Sequence, residues 1–147
     1  QKSSEASFLS VSAQYIAVID KDNYNIKLYN RISSSVSTKQ LLGLKVVFNL
    51  LFLPDGCLLM TGHDNVKCMI NKYSIVSEEE EPVLIWSCDQ VPYAVGVTVD
   101  ERGLIYVSGA ENKTLYILSA EGKYITIKIR IIFLLSLGHD LNRKILL

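Results

Sequence analysis

Short strand-like segments that recur without a gap at 42 and 47 residues, with tight turns of Pro, Asp, Asn and Gly between them, predict an all-β fold. Spacings of that size, built only of short strands, fit blades of four strands each. The reading is a partial β-propeller of about three four-stranded antiparallel blades, incomplete and open. The blades span about 7–44, 45–91 and 92–131, together 7–131, and 132–147 form a degenerate or truncated fourth blade.

The third unit is the clearest. From Gly96 to Tyr124 it reads as strand, tight turn, strand, short loop, strand and turn. Val97 and Val99 alternate with Thr98. Asp100 to Gly103 makes the first turn, because Gly103 is free to take a positive φ. Leu104 to Val107 is expected as a buried apolar run, Ala110 to Lys113 as a loop, and Leu115 to Leu118 as the next strand. Sliding back 47 residues places Gly56 on Gly103, Gly62 on Gly109, Asp64 on Glu111, Asn65 on Asn112 and Ile70 on Ile117. Pro54-Asp55-Gly56 supplies the turn there. A further 42 residues back, Ile16 falls on Leu58, Asp22 on Asp64, Asn23 on Asn65 and Leu28 on Ile70.

The fourth strands are less regular: Ser37 to Leu42, Val83 to Trp86, and the alternating stretch Ile125 to Ile131. The acidic run Glu78 to Glu81 reads as a solvated outer turn. Trp86 reads as packed beneath the next blade. After Ile131 two registers compete. Gly138-His139-Asp140 echoes Gly62-His63-Asp64, or Asp140 falls on Asp100 and Ile145 on Ile105; the second spacing, 40 residues, suits a blade better.

Composition narrows the class. The chain has 147 residues, 49% hydrophobic and 20% charged, with 15 acidic and 15 basic side chains, so no global field draws nucleic acid or an anionic membrane. The first residue is Gln1, which points to an excised or incomplete sequence with no signal peptide in front. Ile125 to Leu137 is too short to span a bilayer and contains Lys128 and Arg130. The three cysteines, Cys57, Cys68 and Cys88, lack metal or redox spacing and read as reduced thiols of a cytoplasmic chain. A zinc site from Cys57, His63 and Cys68 is disfavoured, since structural zinc takes four ligands. His63 and His139 each adjoin an Asp but accompany no nucleophile motif. The expectation is therefore no enzyme, no catalytic or metal residue and no cofactor.

The third unit resembles the NHL-repeat family, in which a Pro precedes a strand of Gly, Ile or Val, Ala, Val and Asp. Here Pro92, Gly96-Val97-Thr98-Val99-Asp100, Gly103, Ile105-Tyr106-Val107-Ser108, Asn112-Lys113 and Leu115 to Leu118 follow that order. Gly109 departs from it, standing where the family has Asp, and the earlier units lose the first strand's motif. The resemblance implies a propeller often found at the C-terminus of tripartite-motif ubiquitin ligases. Their RING, B-box and coiled-coil features are not among these residues, so ligase chemistry is not expected here. What it implies is a non-catalytic protein-interaction scaffold, of the kind that forms a ligase's substrate-recruiting end. An RNA-binding propeller is the alternative, and an enzyme ranks third.

Binding concentrates on loops held by a rigid scaffold. The candidate partner-binding residues are Lys21, Asp22 and Tyr24; His63, Asp64 and Lys67; Tyr93; and Glu111 and Lys113. A protein partner is favoured over RNA because each Lys has an acidic neighbour: Asp22, Asp64 or Glu111. Neither a membrane nor a small-molecule substrate is inferred. Three blades also leave two apolar faces open, so the chain is expected to self-associate.

Overall fold

The computed structural model describes residues 8–20 and 25–130, of which 126–130 are described for backbone alone. It holds twelve strands and, among the described residues, no helix. The first sheet contains β1 (Leu9–Val11), β2 (Tyr15–Asp20), β3 (Asn25–Asn30) and β4 (Val36–Lys39). The second contains β5 (Val46–Phe52), β6 (Leu58–His63), β7 (Cys68–Ser74) and β8 (Val83–Cys88). The third contains β9 (Ala94–Val99), β10 (Ile105–Gly109), β11 (Thr114–Leu118) and β12 (Tyr124–Arg130). Each is an antiparallel meander with strands in chain order. The sheets meet through their first two strands, so β1, β5 and β9 lie innermost and β4, β8 and β12 outermost. This is the open, three-bladed arrangement that the repeat predicts.

The turns form for local reasons. Gly56 (φ +83) closes Leu53–Cys57, and Gly103 (φ +82) closes Asp100–Leu104. Asp55 Oδ1 and Asp100 Oδ1 accept backbone N–H groups inside these turns, as Asp does at turn starts. The two hairpins are thus one device repeated 47 residues apart.

Packing follows the pleat. Tyr15, Ala17, Ile19, Ile26 and Leu28 of the first sheet meet Leu50, Phe52, Leu58, Met60 and Tyr73 of the second. Leu59 and Ile70 point the other way, into a second core with Ile105, Val107, Tyr116 and Leu118. Five of the six β6 residues are buried, because this strand is covered on both faces. The expected buried run Leu104 to Val107 alternates instead: Ile105 and Val107 are buried, while Leu104 and Tyr106 are partly exposed. The far side of the third sheet has no neighbour among the described residues. Trp86 lies partly buried against the second core, its ring so close to Gly122 that a Cβ there would sit 2.6 Å away.

The acidic run is exposed from Glu79 to Glu81, as an outer turn should be, but it also bonds a neighbouring sheet. The β7–β8 connection lies along the outer edge of the first sheet. The Glu78 carboxylate accepts hydrogen bonds from Ser35, Asn30 and Ser33. The buried Lys39 ammonium donates to the backbone carbonyls of Glu78 and Glu80, and Gln40 N–H donates to Glu81 at 2.9 Å. The run is a clasp between two sheets. Sequence distance hid it, since the partners lie 39 to 48 residues away.

Two predictions follow from these contacts. A Cβ at Gly62 would lie 2.2 Å from the Val46 carbonyl, whereas one at Gly56 meets nothing within 4 Å. Gly62→Ala should therefore destabilise by about 1–3 kcal/mol from overpacking. Gly56→Ala should cost only the left-handed backbone penalty of about 1–2 kcal/mol. Urea midpoints for the two variants compare them, and equal midpoints would contradict the close approach. The Ser35 hydroxyl, ahead of Asn30 and Ser33, holds the Glu78 carboxyl below its ordinary range against a smaller push from burial. Its contribution is present above the unfolded glutamate value of about 4.3 and is lost as pH falls through the lower folded value. Glu78→Gln should therefore lower the Tm at neutral pH, with the gap to wild type closing below about pH 4. A gap that stays constant with pH would rule out an ionised clasp.

Candidate functional site: the loop face

One end of the sheets carries the β6–β7 and β10–β11 turns and the β4–β5 and β8–β9 connections. Most of the residues singled out from sequence lie here. Lys21, Asp22 and Tyr24 fall outside the described residues.

The β6–β7 turn is held by its own side chains. Asp64 Oδ1 accepts the N–H groups of Lys67 and Val66, both at 2.8 Å, and these bonds keep its carboxyl below the usual range. Asn65 takes φ +82, a conformation that Asn tolerates better than most residues. Its N–H donates to His63 Nδ1 at 2.8 Å. The ring proton of a neutral His63 therefore sits on Nε2, free to be donated elsewhere. Lys67 does not pair with Asp64 in this geometry. Its ammonium bonds Asp89 on the β8–β9 connection, raising the lysine's pKa and lowering the aspartate's. The bridge ties a turn to the connection leading into the next sheet.

That connection ends in Tyr93, which is 54% exposed and has φ +51. A bulky residue in the left-handed region is strained. Tyr93 O accepts from Ala110 N at 3.0 Å, its N–H donates to the Cys68 sulfur, and its ring stacks on Phe48 with centroids 6.2 Å apart and planes 17° apart. Phe48 is presented by a β-bulge, the extra residue between Val47 and Asn49 on innermost β5. The 47-residue repeat places Val95 at the same position, and β9 carries the matching irregularity opposite Ser108. The Val95 carbonyl, turned out of its ladder, accepts from the buried Thr61 hydroxyl of the second sheet at 2.5 Å.

Crowding by the Tyr116 ring and the β8–β9 connection explains the missing Asp at position 109. A Cβ on Gly109 would lie 2.8 Å from the Tyr116 ring and 3.0 Å from the Pro92 carbonyl. Glu111 and Lys113 are exposed at the tip of the β10–β11 turn, where Lys113 has φ +50. Asn112 Nδ2 donates to the Tyr116 hydroxyl, fixing that turn to the sheet below.

Cys68 is the cross-strand partner of His63 and lies buried against the backbone of Tyr93 and Ala94. Burial raises its thiol, and burial likewise raises Cys57 and Cys88, which makes all three poor nucleophiles. Cys57 sits in the β5–β6 turn, at the opposite end of β6 from His63 and Cys68, so those three do not meet. Among the described residues no three His, Cys, Asp or Glu side chains gather for a metal. The sequence reading missed Phe48 and Asp89. Neither had a signal in the sequence, since the bulge that presents Phe48 is visible only in the strand register.

No family model matches this chain, and no curated protein matches it. Solved structures do. A protein assigned as a gluconolactonase superposes with TM-score 0.61 at 16% identity, over 79% of this chain and 44% of that one. A streptogramin B lyase gives 0.60 at 15%, over 83% and 40%. The PQQ-bound aldose sugar dehydrogenase of Streptomyces coelicolor gives 0.60 at 8%, over 82% and 46%. The chain thus spans less than half the length of each. These neighbours carry the names of enzymes, which overturns the expectation of a non-catalytic, non-enzymatic scaffold. The sequence had shown no nucleophile or metal cluster, but an enzyme site shared among more blades need not be legible in three of them. At these identities the likeness establishes the fold: the chain is a run of three four-stranded blades of an open β-propeller.

Proposed function

We propose that these blades belong to a propeller enzyme whose substrate is a hydroxyl-bearing ring of the sugar or sugar-lactone class, held on the loop face. The observation that carries the reading is the Phe48–Tyr93 stack. It places a half-exposed, strained ring beside the innermost strand, where binding energy can repay the strain. A flat aromatic face packs against the C–H face of a sugar ring and excludes water from it, leaving the hydroxyls for polar groups around the rim. His63 Nε2–H and the exposed ends of Glu111 and Lys113 are such groups. Two of the three neighbours described above are named for a sugar or a sugar-derived lactone, which supports this substrate class. Within the propellers we assign the blades to the NHL type, on the Gly96 to Leu118 motif.

Saturation-transfer NMR with a panel of aldonolactones and aldoses tests the reading, together with indicator-dye assays for lactone opening and electron-acceptor assays for aldose oxidation. Wild type should bind at least one ring compound. Tyr93→Ala should weaken that binding about tenfold, on about 1.4 kcal/mol of lost stacking. His63→Ala should weaken the same binding by less, on about 0.5–1.5 kcal/mol for one lost hydrogen bond. Binding that is absent from the whole panel, or unchanged in Tyr93→Ala, would sink the proposal.

A further inference from the structure

The outward face of the first sheet is apolar, that of the third mixes Tyr106 and Leu115 with Thr98 and Ser108, and each repeats the register of an interface already made inside the chain. On the first sheet, Leu9 pairs with Val18 and Val11 with Ile16, and Ile16 continues through Tyr29 to Val36. Leu9, Val11 and Val36 are 62%, 52% and 64% exposed. The corresponding pairs of the second sheet, Leu50 with Met60 and Phe52 with Leu58, are the ones buried against the sheet before it. At the other end, Tyr106, Ser108 and Leu115 hold the ladder places that Leu59, Thr61 and Ile70 hold in the second sheet. Thr98, Tyr106 and Leu115 line an open cleft of about 700 Å³ with Asp100 and Arg102 at its rim.

A hydrogen bond gives the match an atomic detail. Where the first two sheets meet, Ser10 Oγ accepts the Phe52 N–H at 2.9 Å. Ser10 lies opposite Ala17, and Thr98 lies opposite Tyr106, in the same ladder position of its own sheet. Thr98 is exposed, and its hydroxyl stands where Ser10 makes that bond. The group equivalent to Phe52 N–H on the first sheet is Val11 N–H. Ser12 N–H bonds Tyr15 O, so by the alternation of an antiparallel ladder the Val11 N–H points away from β2.

We propose that two copies of this chain pack head to tail, the third-sheet face of each that has no neighbour among the described residues against the corresponding first-sheet face of the other copy, closing a ring of six blades. Six lies within the range of closed propellers. Single chains of the same fold are about twice as long as the stretch matched here, so two copies supply about one complete propeller. A heterologous contact closes a ring only when its rotation fits, and otherwise propagates into open chains. The two outcomes have different masses.

Sedimentation velocity and light scattering on the full 147-residue chain should find one species of twice 16.5 kDa, with no larger forms as concentration rises. A persistent monomer, or a ladder that grows with concentration, would overturn the proposal. Val18→Asp and Thr98→Arg each spoil one of the two faces, so each variant alone should be monomeric with an unchanged far-ultraviolet dichroism spectrum. Mixed, they restore one intact junction and should form a heterodimer. If Val18→Asp does not fold, Thr98→Arg alone decides: it should sediment as a folded monomer where wild type is a dimer, and a dimeric Thr98→Arg would refute the proposal. Variants that still dimerise alone, or mixtures that stay monomeric, would refute head-to-tail pairing.

Discussion

β6 is covered on both faces, and that condition shapes the residues around it. Leu58 and Met60 enter one core while Leu59 enters the other. A strand buried on both sides can keep a polar side chain only if it is bonded, and Thr61 meets the requirement by donating across the interface to Val95 O. That carbonyl is available because β9 departs from its register at this level. At its loop end β5 approaches β6 so closely, through the Val46 carbonyl, that Gly62 leaves no room for a Cβ. Sheet packing, bulge and glycine are therefore one constraint seen at three positions.

Local chemistry was legible in the sequence. The hairpins at Gly56 and Gly103, the alternation in β9, and the strand order all follow from turn residues and period. Propensity and pattern act over a few residues, and a repeated pattern reinforces itself. What was not legible depended on contacts between blades. Glu78 looked like part of a solvated charge run because its partners, Asn30, Ser33 and Ser35, belong to another repeat. Lys67 looked compensated by Asp64, three residues away, yet Asp64 is occupied with turn N–H groups and the ammonium reaches Asp89 instead. The run around Tyr106 looked fully buried, but burial on both faces needs a neighbour on both sides, which only the middle sheet has among the described residues.

The functional inference failed at a different level. A resemblance between repeats reports on the scaffold, and one fold hosts scaffolds and enzymes alike. The search for a nucleophile or metal cluster assumed that an active site would be visible in consecutive residues or in a few charged types. The loop face instead offers an aromatic stack and a histidine whose free nitrogen is set by a backbone N–H. Phe48 carries no chemical signature in sequence. It matters because a bulge presents it toward Tyr93, one residue beyond the stretch of β5 that lies close over Gly62.

This links the stability of the fold to the geometry of its face. Tyr93 is held by Ala110 N–H from β10–β11 and by the Phe48 ring from β5, so its position depends on the second and third sheets together. The Lys67–Asp89 bridge fixes the same connection from the β6–β7 turn. An exposed ion pair contributes little to stability on its own. Its effect here is to limit how far the chain between Cys88 and Ala94 can move, and Val91, buried beneath it, anchors the middle of that span. Loops of this kind hold strained residues because a rigid scaffold on both sides over-determines them. Loosening the interface between the second and third sheets should therefore release Tyr93 from φ +51 before it unfolds either sheet, since its conformation is the weakest term that the interface supports.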